Sequence, residues 1–360
     1  MWSHYKAKVF SELATIAADK NIDLCVYQMA ISKKNRKNLG QVDLSIHNYP
    51  YELLYSGSYE EIGLFKKIYL LGSRIIKIKN SVINFPGYAE PVNWILIPLA
   101  LFRGNKIIVS VDSTIHDRKR VAYKEKIKQF FLRFADLVYC YGSSQTSYLH
   151  SLGVSQKKIH KRIQATDNKK FRDSFLKTSV EKKNIFLYVG RLSAEKNLEL
   201  LIDTFKELKN NDWELRIIGA GNREAFLREK VDLESIPNVT FLGGVPWASV
   251  IEHYAESKVF ILPSKSEPWG IVVNEAMLCE CALIVSKHCG CARDLVQETK
   301  NGFTFNPNEK EDLAEKMQYY IDHPDLASKM GKRSWDFIKD ETPEKAAQQM
   351  MEGYLKLKQA

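Results

Sequence analysis

The stretch Ile185–Phe205, IFLYVGRLSAEKNLELLIDTF, holds three successive signals. Ile185–Val189 is a continuous apolar run of the kind that forms a strand buried on both faces. Gly190-Arg191-Leu192-Ser193-Ala194-Glu195-Lys196-Asn197 is a glycine-led turn, and the spacing from Leu198 predicts an amphipathic helix over Leu198–Lys209. A strand handing over to a helix in this way is the first half of a βαβ unit.

The same handover repeats downstream. Strands are expected at Glu214–Ile218, Val239–Phe241, Val259–Leu262 and Ala282–Ser286. Helices are expected at Arg223–Val231, Trp247–Glu256, Gly270–Cys279, Asp312–Ile321 and Thr342–Lys358. Alternation of this kind predicts a parallel sheet wrapped by helices, with ligands held at the carboxyl ends of its strands. At that edge Arg191 and Lys196 flank a turn, where both cations could converge on one phosphate, although a solvated loop with two surface cations reads the same way. Ile217-Ile218-Gly219-Ala220-Gly221 and Phe241-Leu242-Gly243-Gly244-Val245-Pro246 are two further strand-to-turn junctions. A Gly-x-Gly without a third glycine is a weak dinucleotide signal.

A fourth junction is Ser264–Met277, SKSEPWGIVVNEAM. Pro268 and Gly270 break the loop before a helix whose core stripe is expected at Val272, Ala276 and Cys279. Glu275 then lies between apolar neighbours, where a carboxylate is costly without a hydrogen-bonding partner. That partner could be a buried Arg, Lys or backbone amide, or the hydroxyls of a ligand.

The chain has 360 residues, 45% apolar and 27% charged, which suits a globular protein of two domains. No apolar run reaches the ~18 residues needed to span a bilayer. The longest, Val92–Phe102, contains Asn93 and Pro98 and reads as a buried helix. Lys6 and Lys8 interrupt any signal-peptide pattern, so the expected location is cytoplasmic. The net charge of +10 is uneven: residues 1–175 hold 28 Lys and Arg against 14 Asp and Glu, and residues 176–360 hold 25 against 29. The first half therefore faces something anionic. Cys279-Glu-Cys281 and Cys289-Gly-Cys291 do not have zinc spacing, and reduced structural thiols are the expected reading, with no metal.

In the first half, strands are expected at Leu24–Tyr27, Val42–Ile46, Ser81–Phe85, Lys106–Val111 and Leu137–Cys140. Helices are expected at Lys66–Lys77, Val121–Phe134 and Gln145–Ser151, and an interdomain linker near residues 165–180. The chain begins Met1-Trp2-Ser3-His4-Tyr5 and enters a helix directly, where a doubly wound domain normally opens on a strand. The expectation is either that the natural chain starts further upstream, or that the first domain is loosened and turnover impaired.

Together, GRLSAEKN, IIGAGN, FLGGV and the Glu-x7-Glu pair Glu267/Glu275 resemble family 4 of the glycosyltransferases. The resemblance is continuous from about Phe186 to Phe305. It is fainter at Ser110–Asp117 (SVDSTIHD) and Ala135-Asp136, and Ala165–Phe171 departs from the family pattern, so no donor role is carried onto that segment. The resemblance implies an α/β fold of two Rossmann-like domains facing each other across a cleft, the GT-B architecture, with the first domain lacking its opening strand. The expected domains are 1–172 on the acceptor side and 173–340 for the nucleotide-sugar, with a helix at 341–360 returning to the first.

It further implies a retaining hexosyltransferase that uses a nucleotide-sugar donor, no cofactor and no metal, in cell-surface polysaccharide or lipopolysaccharide synthesis. Arg191 and Lys196 would neutralise the diphosphate, Glu275 would bind the ribose hydroxyls, and Glu267 would sit beside the transferred sugar. Gly270, Ile271 and Val272 would offer backbone amides, and Gly244 and Val245 would contact the base. His116, or Asp112, would face the sugar from the first domain. The acceptor would be a glycan or a lipid-linked molecule.

The basic clusters Lys33/Lys34/Arg36/Lys37 and Arg118–Lys128 would meet an anionic membrane surface, as a peripheral protein of the inner face, unless they are a plain solvated face. Nothing supports nucleic acid as a partner. A nucleotide-sugar-binding pseudoenzyme or partner subunit is the alternative reading.

Overall fold

The computed structural model describes residues 4–32, 44–118, 120–178, 180–209 and 212–358. The elements run α1 (His4–Asp19), β1 (Val26–Gln28), β2 (Tyr51–Leu53), α2 (Leu64–Ile75), β3 (Val82–Phe85), α3 (Pro91–Phe102), β4 (Lys106–Ser110), α4 (Ala122–Arg133), β5 (Leu137–Cys140), α5 (Ser143–Ser151) and β6 (Ile159–Lys161). Then follow α6 (Asn168–Thr178), β7 (Lys183–Val189), α7 (Leu198–Glu207), β8 (Glu214–Ile218), α8 (Glu224–Leu233), β9 (Val239–Gly243), α9 (Trp247–Glu256), β10 (Ser257–Leu262) and α10 (Ile271–Leu278). The chain closes with β11 (Ala282–Ser286), α11 (Ala292–Leu295), β12 (Gly302–Phe305), α12 (Lys310–Asp322), α13 (Pro324–Ile338) and α14 (Pro343–Lys358). Two compact units emerge. Unit 1 is residues 1–113, 120–167 and 341–360, and unit 2 is residues 114–119 and 168–340.

Unit 2 is a six-stranded parallel sheet in the order β12-β11-β10-β7-β8-β9. The chain winds outward from β7 through β8 to β9, then returns beside β7 as β10 and winds the other way. The reversal between β7 and β10 is the topological switch point, the edge at which sheets of this kind bind ligands. Phe186, Leu187 and Tyr188 of β7, Val259–Leu262 of β10 and all of β11 are buried, as expected of strands covered on both faces.

Unit 1 has two parallel sheets, β1-β2 and β3-β4-β5-β6. Among the described residues β3 has a strand partner on one side only. One core lies between the four-stranded sheet and its helices, with Leu96, Ile97, Ile107, Val109, Phe131 and Leu149 inside it. On the opposite face α14 packs against β5: the Tyr139 hydroxyl donates to the Met350 carbonyl at 2.6 Å, and His160 Nε2 donates to that of Gln349 at 2.7 Å. A Cβ on Gly353 would stand 2.4 Å from the Tyr139 hydroxyl, so this close approach requires glycine. Ala346, Ala347 and Met350 of α14 also share a core with Val9 and Leu13 of α1.

Three expectations need correction. Leu44–Ile46 is a 3-10 turn, closed by His47 N–H on the Leu44 carbonyl, and the strand that pairs with β1 is Tyr51–Leu53. The boundary between the units, at 167/168, falls inside the segment expected to be a linker, but residues 168–178 of that segment are helix α6, because Phe171 and Phe175 at i and i+4 give it an apolar stripe and Phe171 is fully buried. Helix α10 has no single core stripe: residues 273–279 are all buried, and Val272 is half-buried. Strand β12 and helix α13 were not anticipated. Residues 1–3, the basic cluster at 33–37, residues 42–43 and Lys119 lie outside the described residues.

Candidate active site

The loop after β7 is shaped by its neighbours. Tyr188, fully buried, donates its hydroxyl to the Arg191 carbonyl at 2.8 Å. A Cβ on Gly219 would lie 1.8 Å from the Gly190 oxygen, and one on Gly221 would lie 2.2 Å from the Leu192 oxygen. The Gly-x-Gly turn after β8 is therefore filled by the neighbouring backbone rather than open to a ligand. Leu192 N–H to Ala220 O at 3.1 Å and Arg223 N–H to Leu192 O at 2.9 Å complete the junction. After β9, Gly219 N–H bonds the Gly243 carbonyl at 2.8 Å, which sets Gly244 and Val245 beside the same edge. The left-handed backbone of that turn falls on Gly243, at φ 68°.

Ala194–Lys196 form a short 3-10 turn that ends on Asn197 in the left-handed region, at φ 58°. Asn tolerates that conformation, and its Nδ2 is anchored on the Pro307 carbonyl at 2.9 Å. This turn brings Lys196 onto the loop after β10, where Nζ forms an ion pair with the Glu267 carboxylate. The side chains retain only 10% and 17% exposure, so the pair is shielded from solvent. Arg191 behaves differently: its side chain is 66% exposed and pairs with Glu195 at 3.2 Å. The two cations expected to converge on one point are thus held by different carboxylates. Burial pushes the Glu195 carboxyl up, but its own backbone amide, Ser193 and Arg191 outweigh this and hold it below the usual range.

The loop Ser264–Gly270 is fastened on two sides. Lys265 N–H bonds the Glu195 carbonyl at 2.9 Å, Gly290 N–H bonds that of Glu267 at 2.8 Å, and Cys291 N–H bonds that of Trp269 at 3.1 Å. Trp269 Nε1 donates to Asn274 Oδ1 at 3.0 Å and ties the loop to the helix it precedes. Gly270 caps α10 at φ 101°, and a Cβ there would stand 2.8 Å from Leu262 Cδ2. Both facts require glycine. Ile271 and Val272 then occupy the first turn, whose amides have no carbonyl partner within the helix.

Glu275 is buried, and it has a protein partner: the Tyr254 hydroxyl donates to its Oε2 at 3.0 Å. The expectation that only a ligand could satisfy this carboxylate, if not a base or an amide, is corrected by this phenol. Burial and then Glu275 push Tyr254 well above its ordinary value, so it stays a neutral donor.

His116 lies in the segment that groups with unit 2 and stacks on His288, with ring centroids 4.2 Å apart and planes at 8°. His288 Nδ1 is 3.1 Å from the Lys265 carbonyl, which can only accept, so Nδ1 carries the proton. Ser266 Oγ donates to the Asp117 carbonyl at 3.0 Å. Asp112 is exposed and belongs to unit 1. Sequence reasoning missed Tyr188, Tyr254 and His288, none of which stands in a motif.

Cys279, Cys281, Cys289 and Cys291 are free and buried. Burial pushes all four thiols up, and Glu267 adds to the effect at Cys289 and Cys291. Among the described residues no group of three His, Cys, Asp or Glu could hold a metal ion.

Residues 169–335 match the family model described as glycosyl transferases group 1. They form a group 1 glycosyltransferase domain. The match takes in both loops of the switch point, and with them Lys196, Glu267 and Glu275. An uncharacterized glycosyltransferase of Methanocaldococcus jannaschii is 24% identical to this chain over 325 residues, 87% of this chain and 85% of that protein. GalNAc-alpha-(1->4)-GalNAc-alpha-(1->3)-diNAcBac-PP-undecaprenol alpha-1,4-N-acetyl-D-galactosaminyltransferase of Campylobacter jejuni is 25% identical over 304 residues, 82% of this chain and 79% of that protein. The structure of Anabaena HepE in complex with UDP matches with a TM-score of 0.75 at 17% identity, covering 96% of this chain and 95% of that one. The chain therefore shares its α/β fold with GT-B enzymes. No helix among its described residues is long and apolar enough to cross a membrane.

Proposed function

We propose that the protein is a retaining hexosyltransferase that moves a sugar from a nucleotide-sugar to a glycan or glycolipid in cell-surface polysaccharide or lipopolysaccharide synthesis. The observation that carries this reading is the Lys196–Glu267 pair at the switch point, next to the glycine-capped start of α10. The site offers what a sugar diphosphate needs: a shielded ammonium, helix-start amides for phosphate or sugar oxygens, and a buried carboxylate for ribose hydroxyls. HepE has been solved with UDP and with UDP-glucose, and the Campylobacter relative is named for an undecaprenol-linked substrate. The first supports a nucleotide-sugar donor and the second a lipid-linked acceptor.

In this reading the bond from the sugar C1 to the diphosphate oxygen breaks, and charge develops on the diphosphate. Lys196 and Arg191 stabilise that charge. The acceptor hydroxyl attacks C1 from the face the diphosphate leaves, and its proton passes to a diphosphate oxygen. Glu267 stands beside the reacting sugar and fixes the Lys196 ammonium, Glu275 with Tyr254 holds the ribose, Gly244 and Val245 line the base, and His116 orients the sugar. Cations fill the place of a metal.

The test is thermal shift of the purified protein with UDP-, GDP- and ADP-sugars, followed by donor hydrolysis or transfer. One nucleotide class should raise the melting temperature, since a ligand that binds only the native state stabilises it. Absence of any shift and of any hydrolysis would overturn the reading. Binding without turnover would leave a pseudoenzyme.

A further inference from the structure

Strands β3 to β6 run parallel in that order, so the right-handed connections carry their helices to one face of the sheet. Helix α2 joins this layer beside α3, where a Cβ on Gly72 would meet Leu96 Cδ2 at 3.5 Å. Trp94 of α3 and Phe131 of α4 lie 4.6 Å apart, so α4 follows next. The inner side of the layer is the apolar core of unit 1.

Its outer side is also apolar. Phe65 and Tyr69, at i and i+4 on α2, are 87% and 73% exposed, and Phe102 at the end of α3 is 85% exposed. On α4, Tyr123, Ile127 and Phe130 fall at i, i+4 and i+7 and are all exposed. Single exposed apolar residues are ordinary, but six large ones on three adjoining helices form a patch that marks an interaction surface.

The charges select the partner. Helices α2 and α3 contain no acidic residue, and the one on α4, Glu125, is taken by Lys128 at 2.7 Å and Arg120 at 3.6 Å. Lys66, Lys124 and Lys126 are exposed among the apolar side chains. A second copy of the chain would set these cations against one another. Anionic headgroups above acyl chains match both features, because aromatic rings settle at the membrane interface and lysines meet anionic lipid.

We propose that the outer face of the α2–α3–α4 layer docks on anionic lipid by inserting its aromatic and apolar side chains among the headgroups. This deepens the membrane partner of the reading above and uses none of that reading's site residues. Binding then has an apolar part that salt does not screen.

The test is cosedimentation of the full chain with vesicles of phosphatidylcholine, with and without phosphatidylglycerol, at low and high salt. The protein should bind the anionic vesicles and keep part of that binding at high salt. Phe65→Ser/Phe102→Ser should lower the partition coefficient about tenfold or more, the scale of two lost phenyl insertions. Lys124→Gln/Lys126→Gln should lower it at low salt only. Thermal melting checks the fold, and Tyr123→Ser/Ile127→Ser serves if the first pair does not fold. Failure of the wild type to bind anionic vesicles, or unchanged partition of the serine variants, would overturn the proposal. So would light scattering that shows self-association lost in those variants. Donor hydrolysis without vesicles separates the two readings: hydrolysis with no vesicle binding removes only the docking face, and vesicle binding with no hydrolysis removes only the transferase.

Discussion

Lys196→Ala should damage stability and catalysis for different reasons, and a double-mutant cycle can separate them. In the folded protein the variant leaves the Glu267 carboxylate without its cation at 17% exposure. Removing one partner of a fully buried pair costs about 3–5 kcal/mol, and the remaining solvent access lowers this to about 2–3 kcal/mol. At about 2–4 °C per kcal/mol for a unit of this size, the melting temperature should fall by roughly 4–12 °C. Glu267→Ala in the Lys196→Ala background removes the stranded carboxylate. The double variant should therefore be more stable than the sum of the two single losses, by about 1 kcal/mol or more. Catalysis should not recover: loss of a preorganised cation costs about 2–4 kcal/mol of transition-state stabilisation, or roughly 30- to 1000-fold in kcat/KM. Urea melts and donor hydrolysis on the four proteins supply the numbers. Additive stability losses, or a double variant that regains turnover, would refute the reasoning.

Three further outcomes follow from the geometry. Glu275→Ala should weaken nucleotide affinity measured by calorimetry, and unchanged affinity would remove the ribose assignment; Tyr254→Phe should lower stability by about 1–3 kcal/mol, since the buried Glu275 loses a donor. Gly270→Ala combines a left-handed backbone with a Cβ 2.8 Å from Leu262 Cδ2 and should destabilise by more than about 1 kcal/mol while displacing the Ile271 and Val272 amides; a normal melting temperature would contradict it. Alkaline pH should unfold the protein: Tyr188, Tyr254, Cys279, Cys289 and Cys291 all titrate well above their ordinary values of 10.0 and 9.0 in the folded state. The unfolded chain therefore releases protons first, and stability present below pH 9 is lost progressively as pH rises above 9.0 and then 10.0. Urea midpoints that stay flat over that range would count against the burial of these groups.

The second half of the chain was legible because its information is local. Residues 185–189, 259–262 and 282–286 are largely apolar runs long enough to be read alone, 214–218 alternates charged and apolar residues before it ends on Ile217-Ile218, and glycine or proline marks several of their ends. Strands of three residues such as 51–53 and 159–161 carry too little pattern, and their pairing decides whether they exist at all. Composition likewise placed a charge excess in the first half, but not the exposed apolar layer. On a helix, exposed and buried apolar residues look alike until the neighbours are known.

By itself, then, the sequence determined the alternation of strands and helices in the second half, the four glycine-bearing turns, two of them with a carboxylate, and the cations near them. The tertiary structure decided which of these meet. Lys196 reaches Glu267 across 71 residues because β10 returns beside β7, and Tyr254 reaches Glu275 because α9 and α10 flank the same strand. Such pairings depend on strand order, and strand order is set by how the whole core packs rather than by any local run of residues.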